Sequence, residues 1–132
     1  MLSFSYRQKY RVSGVHMAIN SSVLDEYKEV MGDDWGEFVA DLIDTFLSNG
    51  PRLITDMRQA YSDNDLEVLE RSAHSLKSNG KTFGATQLAD VAFELEQMAG
   101  MGELQDPEDK INFADSLFQI VKSELEELRG TL

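Results

Sequence analysis

The sequence contains no cysteine, only two prolines and no long apolar run, and each shortage excludes a class of protein. Without cysteine, the 132-residue chain has neither a disulfide framework nor a thiolate metal cluster. No run of about 18 apolar residues is present, so no membrane-spanning helix is predicted. The first residues also lack the apolar region of a secretory signal. We therefore expect a cytoplasmic protein without a membrane contact.

Basic residues are scarce, since 12 lysines and arginines face 24 acidic residues and give a formal net charge of −12. This charge argues against nucleic acid as a partner, because phosphate backbones need a basic surface. All acidic residues lie at or after Asp25, whereas residues 1–17 are basic and lack clean periodicity. We predict a flexible N-terminal arm over residues 1–20 and a single domain over residues 21–130, with an ending that favours a free-standing protein.

Apolar residues recur at spacings of three and four, which indicates helices, and the period-two alternation of strands is weak. A short first helix is predicted over about residues 22–31, with Ser21 or Ser22 as its cap. A longer stripe then begins at Trp35, after an aspartate at position 33 or 34 that can cap it, and resumes after Asn49-Gly50-Pro51. We favour one long, kinked helix over this region.

A third helix is predicted after the turn-forming residues 62–64, with Gly84 as its end. A fourth spans about residues 85–99 and ends at Gly100 and Gly102. The predicted core face of the third helix comprises Leu66, Leu69, Ala73, Leu76, Gly80 and Phe83.

The fifth helix has the clearest start signal, Asp106-Pro107-Glu108-Asp109, which combines a cap, a proline in the first turn and early acidic residues. Its apolar positions are Ile111, Ala114, Leu117, Phe118, Val121, Leu125 and Leu128. Long amphipathic helices with short loops predict an all-α fold. The expected architecture is an antiparallel up-and-down four-helix bundle with a short extra N-terminal helix.

Of the two histidines, His16 lies in the unpatterned arm and receives no role, whereas His74 lies in the middle of the third helix. At about 100° per residue, His74 lies roughly a third of a turn from the core stripe, so it should point outward or along a groove edge. Three basic residues flank it without an acid between positions 71 and 89, namely Arg71, Lys77 and Lys81, and Ser78 lies four residues on. A neutral imidazole is a nucleophile, and nearby cations would stabilise an anion bound to it.

The segment from Ala73-His74-Ser75-Leu76-Lys77 to Gly84-Ala85-Thr86-Gln87-Leu88 resembles the signature A-H-x-L-K-G-S-[SA]-x-x-[LF]-G-A-x-x-L of the histidine-containing phosphotransfer (Hpt) family. Leu95-Glu96 is similar to the closing L-E of that signature, and the resemblance covers about residues 22–128. The sequence departs from it at Ser78, where glycine is usual, and at Asn79, where serine is usual. Ser78 adds a hydroxyl group beside the imidazole, which puts the fit to partners in question.

The resemblance implies that His74 accepts a phosphoryl group from an aspartyl phosphate on the receiver domain of a hybrid sensor kinase. It implies that the group then passes to an aspartate of a response regulator. Lys77 matches the family lysine and would neutralise phosphoryl charge, Arg71, Ser78 and Lys81 would support it, and Gly84 would be structural. Since no phosphate-binding Gly-rich loop is present, we expect a carrier that does not bind ATP and needs no metal or cofactor of its own. A four-helix bundle closed on itself also suits a monomer. Mg²⁺ is expected on the receiver.

Other functions fit parts of the pattern. A non-phosphorylated helical adaptor or scaffold is the main alternative, with the short first helix covering the core or forming part of a docking face. A dimerisation bundle of a histidine kinase is disfavoured by the lack of an ATP-binding domain and by a bundle complete within one chain. A metal-dependent hydrolase is disfavoured because only one histidine is usable, and the many carboxylates are typical of a solvated helix face.

Overall fold

The computed structural model describes residues 18–132, which form five α-helices and one short 3₁₀ turn. The helices are α1 (Ser21–Met31), α2 (Trp35–Ser62), α3 (Leu66–Thr82), α4 (Thr86–Met101) and α5 (Pro107–Arg129), and the 3₁₀ turn Gly32–Asp34 joins α1 to α2. Helix α2 packs against α3 and α5, and α4 packs against the same two helices, so α2–α5 close into a ring. This confirms the predicted four-helix bundle with an extra N-terminal helix. No helix over residues 18–132 is both long and apolar enough to cross a membrane.

The apolar stripes predicted for α3 and α5 lie in the core, together with buried apolar residues of α2 and α4. Leu69, Ala73 and Leu76 of α3 are fully buried, and Leu66 is only partly buried at the start of that helix. At the centre, the ring of Phe46 lies against two other rings, stacked on Phe118 at 5.2 Å and edge-on to Phe83 at 5.6 Å between centroids. These contacts tie α2, α5 and the end of α3 together.

Helix α2 runs without interruption through Asn49-Gly50-Pro51, which confirms the single long helix favoured from the sequence. Gly50 is buried because the ring of Phe118 lies directly on its backbone, where a Cβ atom would overlap the ring. The residue that looked like a helix breaker is therefore a packing position between α2 and α5.

Four helix ends differ from the prediction. Asp34 and Asp106 occupy the N-cap positions of α2 and α5, but neither side chain makes a capping hydrogen bond. The side chain of Asn20, rather than Ser21 or Ser22, caps α1 by accepting a hydrogen bond from the backbone N–H of Ser22 at 3.0 Å. Helix α4 continues through Gly100, and Gly102 ends it in a left-handed conformation with φ of 70°. An exposed glycine does not by itself end a helix, because glycine destabilises a helix by only about 1 kcal/mol relative to alanine.

Residues 18–20 were assigned to a flexible arm, but they pack against the bundle. Ile19 is 4% exposed, and the backbone N–H groups of Ala18 and Ile19 donate to the carboxylate of Glu124 at 3.1–3.3 Å. The Asn20 N–H donates to the carbonyl oxygen of Phe83 at 2.9 Å. The prediction of an arm therefore does not hold for these three residues, and its remainder, with His16, lies outside the described residues.

Candidate functional site

His74 lies in the middle of α3 and is exposed, with 58% of its side-chain surface accessible to solvent. The residue before it, Ala73, is fully buried, and Leu76 two positions later is buried as well. The helix therefore presents the imidazole outward while its opposite face holds the core. The expected orientation of His74 is confirmed.

Glu96 of α4 binds the imidazole from the side. Its Oε2 atom lies 2.7 Å from Nδ1 of His74. An ionised carboxylate can only accept hydrogen bonds, so Nδ1 carries the proton and donates it to Glu96. In neutral His74, Nε2 then keeps its lone pair, which points away from Glu96. This arrangement leaves one defined nitrogen of the imidazole as a nucleophile.

Lys77 binds the other oxygen of the same carboxylate. Its Nζ atom donates to Glu96 Oε1 at 2.7 Å and lies 4.9 Å from the ring centroid of Phe93. Only 16% of the lysine side chain is exposed, because its stem lies along the contact between α3 and α4. Lys77 therefore lies on the α4 side of His74 and balances the charge of Glu96.

The ionisation of Glu96 follows from these two contacts. Burial raises the pKa of the Glu96 carboxyl, but hydrogen bonds from Lys77 and His74, together with the positive charges of His74 and Lys77, outweigh burial and lower that pKa below its ordinary value of 4.5. The carboxylate that orients the imidazole is thus held in its charged form at neutral pH.

The basic patch predicted around His74 is present, but it includes an acid that the sequence spacing did not indicate, because Glu96 comes from the neighbouring helix. Arg71 and Lys81 are exposed and have no polar partner within residues 18–132. Ser78 is exposed on the face of His74, and its backbone carbonyl accepts a hydrogen bond from Thr82 Oγ1 at 3.2 Å.

Gly84 holds the end of the helix that presents His74. It adopts a left-handed φ of 64°, and a Cβ atom here would lie 2.5 Å from the Cβ atom of Asn20. Glycine is therefore required by both the backbone and the close approach of the segment before α1. Gly84 lies away from the imidazole and acts on the fold, as expected.

The contact of Glu96 with His74 was not predicted from the sequence. The resemblance includes Glu96 only in the pair Leu95-Glu96, without a link to His74. The available signal was its position one residue after the buried Leu95 of α4, which places it at the edge of the α3–α4 contact. No three metal-ligating side chains cluster within the part of the chain that the structure describes.

Comparison with known proteins identifies the family. The family model of the Hpt domain matches residues 41–131, more than half of the chain. The chain belongs to the Hpt domain family. Members of this family relay phosphoryl groups through a histidine, so this Hpt protein has a histidine phosphotransfer role in phosphorelay signalling, and the predicted function is confirmed at that level.

Two relatives agree with this assignment. The Hpt chain is 28% identical over 90 residues to the phosphorelay protein LuxU of Vibrio harveyi, a match that covers 67% of this chain and 79% of LuxU. The crystal structure of histidine-containing phosphotransfer protein B from Pseudomonas aeruginosa superposes with a TM-score of 0.78 at 30% identity, covering 91% of this chain and 99% of that one. Proteins of this kind are carriers rather than enzymes, and they interact with receiver domains.

Proposed function

We propose that His74 is the residue of this Hpt protein that carries the phosphoryl group, and that Nε2 is the atom that binds it. The observation that supports this most strongly is the hydrogen bond between Nδ1 and Glu96, which leaves Nε2 unprotonated on an exposed imidazole. In the forward step, the Nε2 lone pair attacks the phosphorus atom of an aspartyl phosphate. The P–O bond to the aspartate breaks, and the carboxylate leaves with the electron pair.

Glu96 would act as a positioning residue in this step. Phosphorylation of the Nδ1–H imidazole at Nε2 produces a positively charged ring, and the adjacent carboxylate stabilises that charge, as an aspartate does for the imidazolium of a catalytic triad. Because the ring keeps its Nδ1 proton, the imidazole remains a good leaving group for the return step. The phosphoryl group can then pass to a second aspartate.

The contacts of Lys77 indicate a different role from the one that the resemblance implies. The sequence resemblance gave it direct neutralisation of the phosphoryl group, but its ammonium group is bound to Glu96. We assign it an indirect role, in which it fixes the carboxylate that orients His74. Arg71 and Lys81, which have no partner within residues 18–132, supply the positive charge that attracts the phosphoryl group.

The partners follow from the same chemistry. Phosphoryl transfer needs a metal ion to neutralise the developing charge. We propose that the receiver domains of a hybrid sensor kinase and of a response regulator supply Mg²⁺ and its carboxylates, while this chain contributes the nucleophile and a docking surface in the cytoplasm. It would need no ATP and no cofactor of its own.

Phosphotransfer from a labelled receiver tests the assignment. Purified protein is mixed with receiver domains carrying labelled aspartyl phosphate, and we expect a label on the Hpt chain that is labile in acid and stable in base. The variant His74→Gln should accept no label, whereas His16→Gln, which removes the other histidine, should accept it normally. Labelling of His74→Gln at the wild-type rate would exclude His74 as the carrier.

A further inference from the structure

On the side of His74 that faces away from Glu96, a polar groove runs between α2 and α3. It has a volume of about 400 Å³, and we call it the α2–α3 groove. It lies beside the histidine, because Arg71 one turn earlier and Ser75 in the next position both line it. The other lining residues are Asn49, Arg52, Leu53, Asp56, Val68, Ser72 and Asn79.

The charge of the groove is opposite to that of the chain as a whole. Two guanidinium groups, those of Arg52 and Arg71, face one carboxylate, that of Asp56, in a protein with a net charge of −12. Arg52 is held only loosely, 3.4 Å from Asn49 Oδ1 and 3.8 Å from Asp56 Oδ2. Arg71 has no partner in the described part of the chain. Both cations are therefore available to a ligand.

A buried hydroxyl group lines the same groove without a partner. Ser72 is 6% exposed, yet its hydroxyl group makes no hydrogen bond within residues 18–132. Buried polar groups are nearly always hydrogen-bonded, so a group without a partner marks a position where a ligand or an ordered water belongs. The side chains of Ser75 and Asn79 in the same wall also have no partner among the described residues.

We propose that the α2–α3 groove is a binding site for a small phosphate monoester, held by Arg52 and Arg71 with the Ser72 hydroxyl as a buried donor. Arginine binds phosphate oxygens through two parallel N–H donors, which suits a doubly charged anion. The volume exceeds what a phosphate ion needs and leaves space for an organic part. The side chains of Asp56, Ser75 and Asn79 would bind hydroxyl groups on that part.

The site would also control phosphotransfer, an extension that rests on the proposed role of His74. Arg71 and Ser75 bracket the histidine on α3, so a ligand in the groove occupies the flank over which a receiver must dock. It also neutralises Arg71, one of the cations that attract the phosphoryl group. An occupied groove should therefore slow transfer.

Binding is tested on the whole protein by amide NMR titration with glycerol phosphate and with inorganic phosphate, at ionic strength matched with chloride. We expect saturable shifts confined to the groove segments of α2 and α3. Arg71→Gln should weaken binding about tenfold, since it removes a charge-assisted contact, and Ser72→Ala should weaken it about threefold. The matched control is Arg58→Gln, because Arg58 also lies on α2 but pairs with Asn112 and Asp115 of α5. It should bind normally.

Unsaturable shifts, or equal weakening by Arg58→Gln, would overturn the site. The unfolding temperature of Ser72→Ala without ligand is a second test. It should equal or exceed that of wild type, because the substitution removes a buried hydroxyl group that has no partner. A clear loss of stability would show that the hydroxyl group serves the fold. Slower receiver-dependent labelling with glycerol phosphate in wild type but not in Arg52→Gln, which removes the groove arginine that has no role in transfer, supports control of transfer. Equal labelling rates of wild type with and without glycerol phosphate would overturn that extension.

Discussion

One carboxylate joins the two residues that the sequence singled out most strongly. Glu96 accepts from His74 Nδ1 with one oxygen and from Lys77 Nζ with the other, both at 2.7 Å. The lysine keeps the carboxylate charged, and the charged carboxylate fixes which nitrogen of the imidazole carries the proton. In the proposed mechanism, the reactivity of His74 therefore depends on a residue of another helix.

Replacing Glu96 by glutamine tests this dependence. A glutamine amide can donate to Nδ1, which would favour the tautomer protonated at Nε2 and remove the nucleophilic lone pair. We expect phosphotransfer to slow by about ten- to a hundredfold, the scale at which misorientation of a reacting group is felt. Receiver transfer kinetics measure the rate, and ¹⁵N NMR of the imidazole measures the tautomer. An unchanged tautomer ratio with an unchanged rate would refute the positioning role.

The same residue predicts a pH dependence of stability. The pKa of Glu96 is lower in the folded protein than its ordinary value of 4.5, so its contribution is complete above that value. The contribution is lost as the pH falls through the lowered pKa. Urea unfolding of wild type and Glu96→Gln should therefore differ most near neutral pH and converge in acid. The control is Glu126→Gln, whose exposed side chain has no partner in the described part, and a gap for Glu96→Gln that widens in acid would contradict the prediction.

At the scale of single helices, α2 confirms the long helix favoured from the sequence, although one segment carries residues that often end a helix. Asn49-Gly50-Pro51 has the composition of a break or kink, yet α2 continues through it. The contact between α2 and α5 accounts for the glycine. The ring of Phe118 packs directly on the backbone of Gly50 and is held there by stacking on Phe46.

We expect Gly50→Ala to destabilise the bundle by about 2 kcal/mol, because overpacking of a rigid core outweighs the gain in helix propensity. Gly36→Ala is the matched control in the same helix, since a Cβ atom there has no neighbour within 4 Å. It should leave stability unchanged or raise it by up to about 1 kcal/mol. Denaturant midpoints measure both variants, and equal midpoints for Gly50→Ala and wild type would show that Phe118 can move aside.

The sequence predicts features that depend on a single helix better than features that depend on how two helices pack. The core faces of α3 and α5 were predictable because burial imposes a period of 3.6 on the chain. The outward position of His74 follows from that period. The hydrogen bond between His74 and Glu96 could not be predicted, because it depends on how α4 is rotated against α3. Periodicity shows which face of α4 is buried, but not which side chain at the edge of that face meets His74. The same limit applies to the α2–α3 groove. The cap at Asn20 is a local feature, and it was not predicted because asparagine and serine are about equally good caps at adjacent positions.

At the scale of the whole molecule, the bundle closes on itself. Within residues 18–132 the large exposed apolar side chains are scattered, with Val30 on α1, Tyr61 on α2, Phe93 and Met101 two turns apart on α4, and Leu132 after α5. Stable association usually needs a contiguous apolar patch of several hundred Å². We therefore expect a monomer.

Light scattering at micromolar concentration should give a mass near 14.9 kDa, the mass of one chain. Since the monomer presents a single His74 at an exposed position, each molecule should accept at most one phosphoryl group, as counted by intact-mass spectrometry. A stable mass of twice this value would contradict the expectation and would indicate an interface that involves at least one of these side chains.

The contact between His74 Nδ1 and Glu96 also has a regiochemical consequence. Imidazole can form two constitutional isomers of phosphohistidine, and free histidine reacts at either nitrogen. In this protein one nitrogen is occupied by a carboxylate from a second helix, so only the tele isomer, substituted at Nε2, can form without breaking the bond to Glu96. In the proposed mechanism the packing of α4 against α3 thereby selects a single product, and we expect ³¹P NMR of the phosphorylated protein to show one isomer.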